Sequence, residues 1–112
     1  MVGMSERTRA AITSIAAARS GISVAAECAS ETGIGRIDFV VIDLAQDAST
    51  SLVDRDRVDY ASPLPTHVRE EWRSDVALVP GSSYRAFFHV YDRTGVNLVA
   101  YDRRDFTCGE GR

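Results

Sequence analysis

The chain has no lysine: its 13 fixed side-chain cations are all arginine, set against 16 carboxylates for a formal net charge of −3 over 112 residues. A mildly acidic chain lacks the cationic stripe that nonspecific nucleic-acid binding needs to neutralise phosphates, so no nucleic-acid partner is expected. Long apolar runs are missing too. No stretch reaches the roughly 18 uninterrupted apolar residues of a membrane-spanning helix, so no membrane partner is expected. The N-terminal stretch MVGMSERTRAAITSIAAARSG falls short of an export signal. Its apolar centre is mostly alanine, Thr13 and Ser14 interrupt it, and Glu6 stands where such signals are basic. It reads as part of the fold and the chain as cytoplasmic, exported only if a leader has been removed.

Cysteine is scarce. Cys28 and Cys108 are far apart, and with His67 and His89 the only histidines, a four-ligand zinc set would consume both cysteines and both histidines; no metal is expected. In a reducing compartment the two thiols stay free and pack as small hydrophobes. In an exported chain they could instead close one long loop, worth about 3–4 kcal/mol on the chain-entropy argument. Phosphate-binding and nucleophile motifs are absent as well. Gly33-Ile34-Gly35 has neither the third glycine nor the lysine of a phosphate cradle, and Gly81-Ser82-Ser83 has no elbow context. Asp54-Arg55-Asp56-Arg57-Val58-Asp59 lacks the bend glycine and distal glutamate of a calcium loop. No catalytic residue and no cofactor follow from these motifs, and the chain leans away from being an enzyme.

What is present describes one domain spanning 1–112, with 1–4 and 109–112 as disordered ends. Ser5 and Glu6 make a helix start, and Ala11, Ile12, Ile15, Ala18 and Ile22 recur at helical spacing, which predicts an amphipathic helix closed by Gly21. Residues 22–29 fit two periods; the alternation Ile22, Val24, Ala26, Cys28 suits a strand, and the alanines tip the reading towards helix. The β-branched run IDFVVIDL at 37–44 predicts a strand covered on both faces. A more exposed strand is expected over 51–60. After Pro63 and Pro65, Thr66 caps a short helix over 67–75 in which Val68, Trp72 and Val76 point inward together. Strands near 76–79 or 83–91 and over 96–103 complete an α+β fold: an N-terminal helix packed on a small antiparallel sheet with a C-terminal β-hairpin and one short extra helix.

The hairpin sequence FFHVYDRTGVNLVAYDR carries the functional expectation. Asp92-Arg93-Thr94-Gly95 reads as a tight loop with Gly95 left-handed, pairing Val90 with Leu98 and Phe88 with Ala100. Alternation then places an aliphatic layer inward and sets Arg85, Phe87, His89, Tyr91, Tyr101 and Arg103 on the other face. Aromatic rings and arginine are the residues that contact surfaces favour, although cross-strand aromatic pairs also stabilise sheets with no further role. A second candidate surface is the acidic strip Asp54, Asp56 and Asp59, which suits a cationic partner. Together these predict a small acidic noncatalytic protein-binding module, most like an inhibitor or an immunity-type antitoxin that masks a cationic partner protein. The first alternative is a small enzyme or ligand-binding domain whose pocket is lined by the hairpin's aromatic face. The second is a pilin-like structural subunit with Cys28 bridged to Cys108.

Overall fold

The computed structural model describes residues 8–109, and they are all-β: seven antiparallel strands in two sheets, with no helix among the described residues. The strands are β1 (Thr8–Ala18), β2 (Gly21–Ser30), β3 (Arg36–Asp43), β4 (Leu52–Asp59), β5 (His67–Ser74), β6 (Ser83–Tyr91) and β7 (Leu98–Thr107). One sheet has the order β1-β2-β5 and the other β4-β3-β6-β7. Three hairpins, β1-β2, β3-β4 and β6-β7, are joined by connections that cross between the sheets. This is an immunoglobulin-like sandwich in which the fourth strand is hydrogen-bonded to the third rather than to the fifth. The sequence expectations of helix start at Ser5 and of disordered ends lie, Gly109 apart, outside the described residues.

The expected α+β architecture is therefore wrong, and each error has a physical source. The N-terminal "helix" is the β1-β2 hairpin. Register slips between Ile12 and Ser14, where an extra residue resets the alternation of β1. Inward positions consequently run Thr8, Ala10, Ile12 and then Ile15, Ala17. That three-residue step inside a two-residue period looks like one turn of helix. In β2 the alternating reading of Ile22, Val24, Ala26 and Cys28 holds, and all four are buried. β2 is the central strand of its sheet, so two neighbours pairing its backbone outweigh the helical preference of its alanines. The expected helix at 67–75 is β5. Val68 and Trp72 are four apart, a spacing that puts two residues on one face of a helix and of a strand alike.

The core lies between the sheets. Phe39 of β3 stacks on Trp72 of β5 with ring centroids 5.5 Å apart and packs against Phe88 of β6 at 5.2 Å. Val24, Ile37, Val41 and Val90 are fully enclosed around them, each such side chain contributing about 2 kcal/mol by its removal from water. Side chains tie the sheet edges together, and just past β7 the Gly109 N–H donates to the Ala17 carbonyl of β1 at 3.2 Å. The Tyr60 hydroxyl donates to Glu70 at 3.2 Å and the Ser74 hydroxyl donates to Asp54, tying β4 to β5. On the opposite side the Ile12 N–H donates to Asp102 at 2.8 Å, and Arg104 donates to the Ile12 carbonyl at 2.7 Å. Before β6, the buried Tyr84 hydroxyl accepts the Val79 N–H at 2.9 Å, the tyrosine-corner arrangement of such sandwiches. Cys28 and Cys108 are both buried and free, so no bridge fastens the tail; with the helix gone as well, the pilin-like arrangement has no structural basis.

Candidate binding face

The β6-β7 hairpin closes as its glycine suggests and pairs in a different register. Gly95 has φ +77°, its N–H donates to the Asp92 carbonyl at 2.8 Å, and the Asp92 N–H donates to the Asn97 carbonyl at 2.9 Å. The loop thus extends to Asn97, and Val90 pairs with Ala100 while Tyr91 pairs with Leu98. Because the slip along most of the hairpin is two residues, it leaves the facing of β6 unchanged. Tyr84, Ala86, Phe88 and Val90 are buried. Leu98, expected in the inward layer, is instead 47% exposed beside Tyr91, past the register shift next to Val90.

The other face of β6 belongs to a surface four strands wide. Register places Asp59, Arg36, Tyr91 and Leu98 side by side in one row across β4, β3, β6 and β7. The next row is Arg57, Asp38, His89 and Tyr101; then come Arg55, Val40, Phe87 and Arg103. Ile42, Arg85 and Asp105 follow. No element of the described chain covers these rows. His89 stacks on Phe87 with centroids 5.6 Å apart and meets the edge of Tyr101 at 6.3 Å. The Arg36 guanidinium lies 4.2 Å over the Tyr91 ring and grips Asp38 with two bonds, Nε to Oδ1 at 2.8 Å and Nη2 to Oδ2 at 2.7 Å. A charge-assisted fork of this kind fixes both residues as a platform beside the rings. Arg85 holds Asp105 in the same way at 2.6 and 3.1 Å, and Arg57 meets Asp59 at 3.2 Å.

Local electrostatics follow from this layout. Burial pushes the His89 imidazole below its ordinary value; the Asp38 charge opposes that shift and Arg36 reinforces it. Burial, then the Asp38 charge, raises the Tyr91 phenol. Arg85 and Asp105 favour each other's charged forms. The face carries five arginines (36, 55, 57, 85 and 103) and three aspartates (38, 59 and 105), an excess of two positive charges on a chain of net charge −3.

Of the residues singled out from sequence, Arg85, Phe87, His89, Tyr91, Tyr101 and Arg103 thus lie on one sheet face, and Asp59 joins them. Asp54 and Asp56 do not. They are in register with Val41 and Phe39, on the inward side of the β4 edge, where Asp54 bonds Ser74. The acidic strip is therefore divided between two faces, and Arg55 and Arg57 are what β4 presents outward. Arg36, Asp38 and Val40 were missed because the run 37–44 reads as covered on both sides. The signal that could have found them is the polar alternation Arg36, Asp38 ahead of Val40.

Among the described residues the side chains expected to line a pocket, Arg85, His89, Tyr91 and Tyr101, lie on an open sheet. A groove of about 760 Å³ runs instead between the edges of β1 and β7, lined by alanines 10, 11, 29 and 100 with Leu98 and Val99 and by polar residues that include Arg9, Glu27 and His67. Of the proposed pocket residues, it includes Tyr101 alone. Among the described residues no three His, Cys, Asp or Glu side chains gather as metal ligands do.

No family model matches the chain, and no curated protein does. Solved structures do resemble it. A β-glucuronidase from Bifidobacterium dentium aligns at TM-score 0.54 and 13% identity, over 91% of this chain and 18% of that one. OgpA from Akkermansia muciniphila aligns at 0.55 and 11%, over 88% and 27%. A β-glucuronidase of glycoside hydrolase family 2 aligns at 0.53 and 10%, over 91% and 11%. The chain spans less than a third of each, and at such identities the likeness concerns the fold alone.

Proposed function

We propose that the chain is a noncatalytic binding module that engages a partner protein through the outer face of the β4-β3-β6-β7 sheet. The observation that carries this reading is the row structure itself. Phe87, His89, Tyr91 and Tyr101 lie together with arginines between and around them, and nothing in the described chain covers them. Rigid rings with planar cations on a sheet are an efficient contact surface, because little side-chain entropy is lost on binding.

The other sheet provides the contrast. Its outer face presents alanines 25 and 29, with Arg69 paired to Glu27 and Arg73 to Glu71. It carries one further arginine, Arg9 beside Ala29, and among the described residues no aromatic ring apart from His67. The occurrence of the same fold as 11–27% of longer chains also supports a module that works beside other domains.

A photo-cross-linking residue at position 87, compared with one at Ala25, tests the proposal in cells that express the chain. The expected result is one discrete protein adduct from position 87 and none from position 25. Equal adducts from both positions, or none from 87, would refute it.

A further inference from the structure

Three of the face's five arginines are already committed: Arg36 to Asp38, Arg57 to Asp59 and Arg85 to Asp105. Arg55 and Arg103 form no ion pair among the described residues, and both are exposed. They occupy the two ends of a single row, Arg55-Val40-Phe87-Arg103, with only apolar side chains between them. We infer that this row is a clamp for an extended acidic segment of a partner protein, with an acid-x-apolar-x-acid pattern laid across the strands. This rests on the binding-face reading above and names the chemistry of its partner.

The spacing carries the inference. The ends of the row are three inter-strand steps apart, roughly 14 Å at about 4.8 Å per step. In an extended peptide, residues i, i+2 and i+4 share one face, and i to i+4 spans about 13 Å. A carboxylate at each end therefore reaches Arg55 and Arg103 while the central side chain rests on Phe87 and Val40. A hollow of about 140 Å³, lined by Asp38, Val40, Arg55, Asp56 and Arg57, gives the β4 end of the row relief in which a side chain can rest beside Arg55. The positive excess of the face is complementary to an acidic segment, which reverses the cationic partner expected from the Asp54–Asp59 strip. Charge complementarity of this kind raises association rate and selects register.

The test uses the full chain, labelled for amide NMR, and the capped peptide Glu-Thr-Phe-Thr-Glu as probe. Saturable shifts are expected at Val40, Phe87 and Arg103, with binding about tenfold weaker for the double variant Arg55→Gln/Arg103→Gln and for the peptide Gln-Thr-Phe-Thr-Gln, the sum of two exposed ion pairs. The compressed peptide Glu-Phe-Glu is expected to bind no better than the glutamine peptide. Equal binding by the glutamine peptide, shifts mapping elsewhere, or no saturable shift would overturn the clamp. A hexathymidine oligonucleotide that shifts the same amides at lower concentration than the peptide would overturn it in favour of nucleic acid. If the clamp fails while the position-87 adduct persists, the face stands and its partner has other chemistry; if the adduct is also lost, the face itself is refuted.

Discussion

The Asp102 carboxylate of β7 accepts the Ile12 backbone N–H of β1 at 2.8 Å, at the residue where the β1 register shifts. Arg104 donates to the carbonyl of the same residue at 2.7 Å. Two side chains therefore supply the hydrogen bonds that a neighbouring backbone would otherwise make, and they hold β1 against the other sheet. Replacing Asp102 by alanine leaves that N–H unpartnered beside the core. A loss of about 1–2 kcal/mol is expected in urea unfolding, with faster amide exchange confined to residues 8–18.

Glycine 35 and glycine 95 face each other with opposite requirements. A Cβ on Gly35 would stand 2.4 Å from the Asp92 carbonyl oxygen and 2.7 Å from the Gly95 nitrogen, both backbone atoms that cannot swing away. On Gly95 the nearest atom would be 3.8 Å distant, and the difficulty is the positive φ alone. Gly35→Ala is expected to cost about 3 kcal/mol as a packing clash, against about 1 kcal/mol for Gly95→Ala as backbone strain. Thermal unfolding of the two variants side by side checks the ranking. Equal losses would contradict the turn's seating on Gly35.

Burial holds the His89 imidazole below its ordinary value of 6.5. Between that lowered value and 6.5 the native chain binds fewer protons than the unfolded chain. The stability owed to neutral His89 is therefore complete above pH 6.5 and is lost as pH falls through the folded value. Urea midpoints measured from pH 7.5 to 4.5 should show this decline, and His89→Gln should lessen it. An unchanged profile in the variant would contradict the half-buried placement of His89 between Phe87 and Tyr101.

Both thiols are enclosed, and burial pushes Cys28 up to about 12. Neither thiol has the access that fast modification needs in the native state, and Cys28 also lacks the thiolate. Native chain at pH 7.5 is expected to react slowly with a thiol reagent, and chain unfolded without reductant should then release two equivalents. Fewer than two would indicate a bridge and contradict the separate burial of Cys28 and Cys108.

The half of the sandwich that obeys simple alternation was legible in the sequence. The β-branched density of β3, the exposed β4 and the aliphatic layer of β6 follow from period and composition, and the same alternation placed His89 and Tyr101 opposite that layer. Three features hid the rest. The shift after Ile12 disguised β1 as a helix, because a reset of phase leaves the same spacing as a helical turn, and the alanines of β2 tipped that strand the same way. The interval from Val68 to Trp72 does not discriminate between the two periods, and only the pairing of β5 with β2 decides it. The β3-β4 half of the outer face was concealed by reading Asp54 to Asp59 as one acidic surface. In a strand, successive residues oppose one another, so Asp54 and Asp56 turn away while Arg55 and Arg57 turn outward.

The most direct measurement of the contact face is an amide shift map of the labelled chain titrated with the protein recovered as the position-87 adduct. The expected perturbations are contiguous over 36–42, 55–59, 85–91 and 101–105, with β2 and β5 silent. Perturbations centred on residues 22–29 and 67–74, or along the groove between β1 and β7, would contradict it.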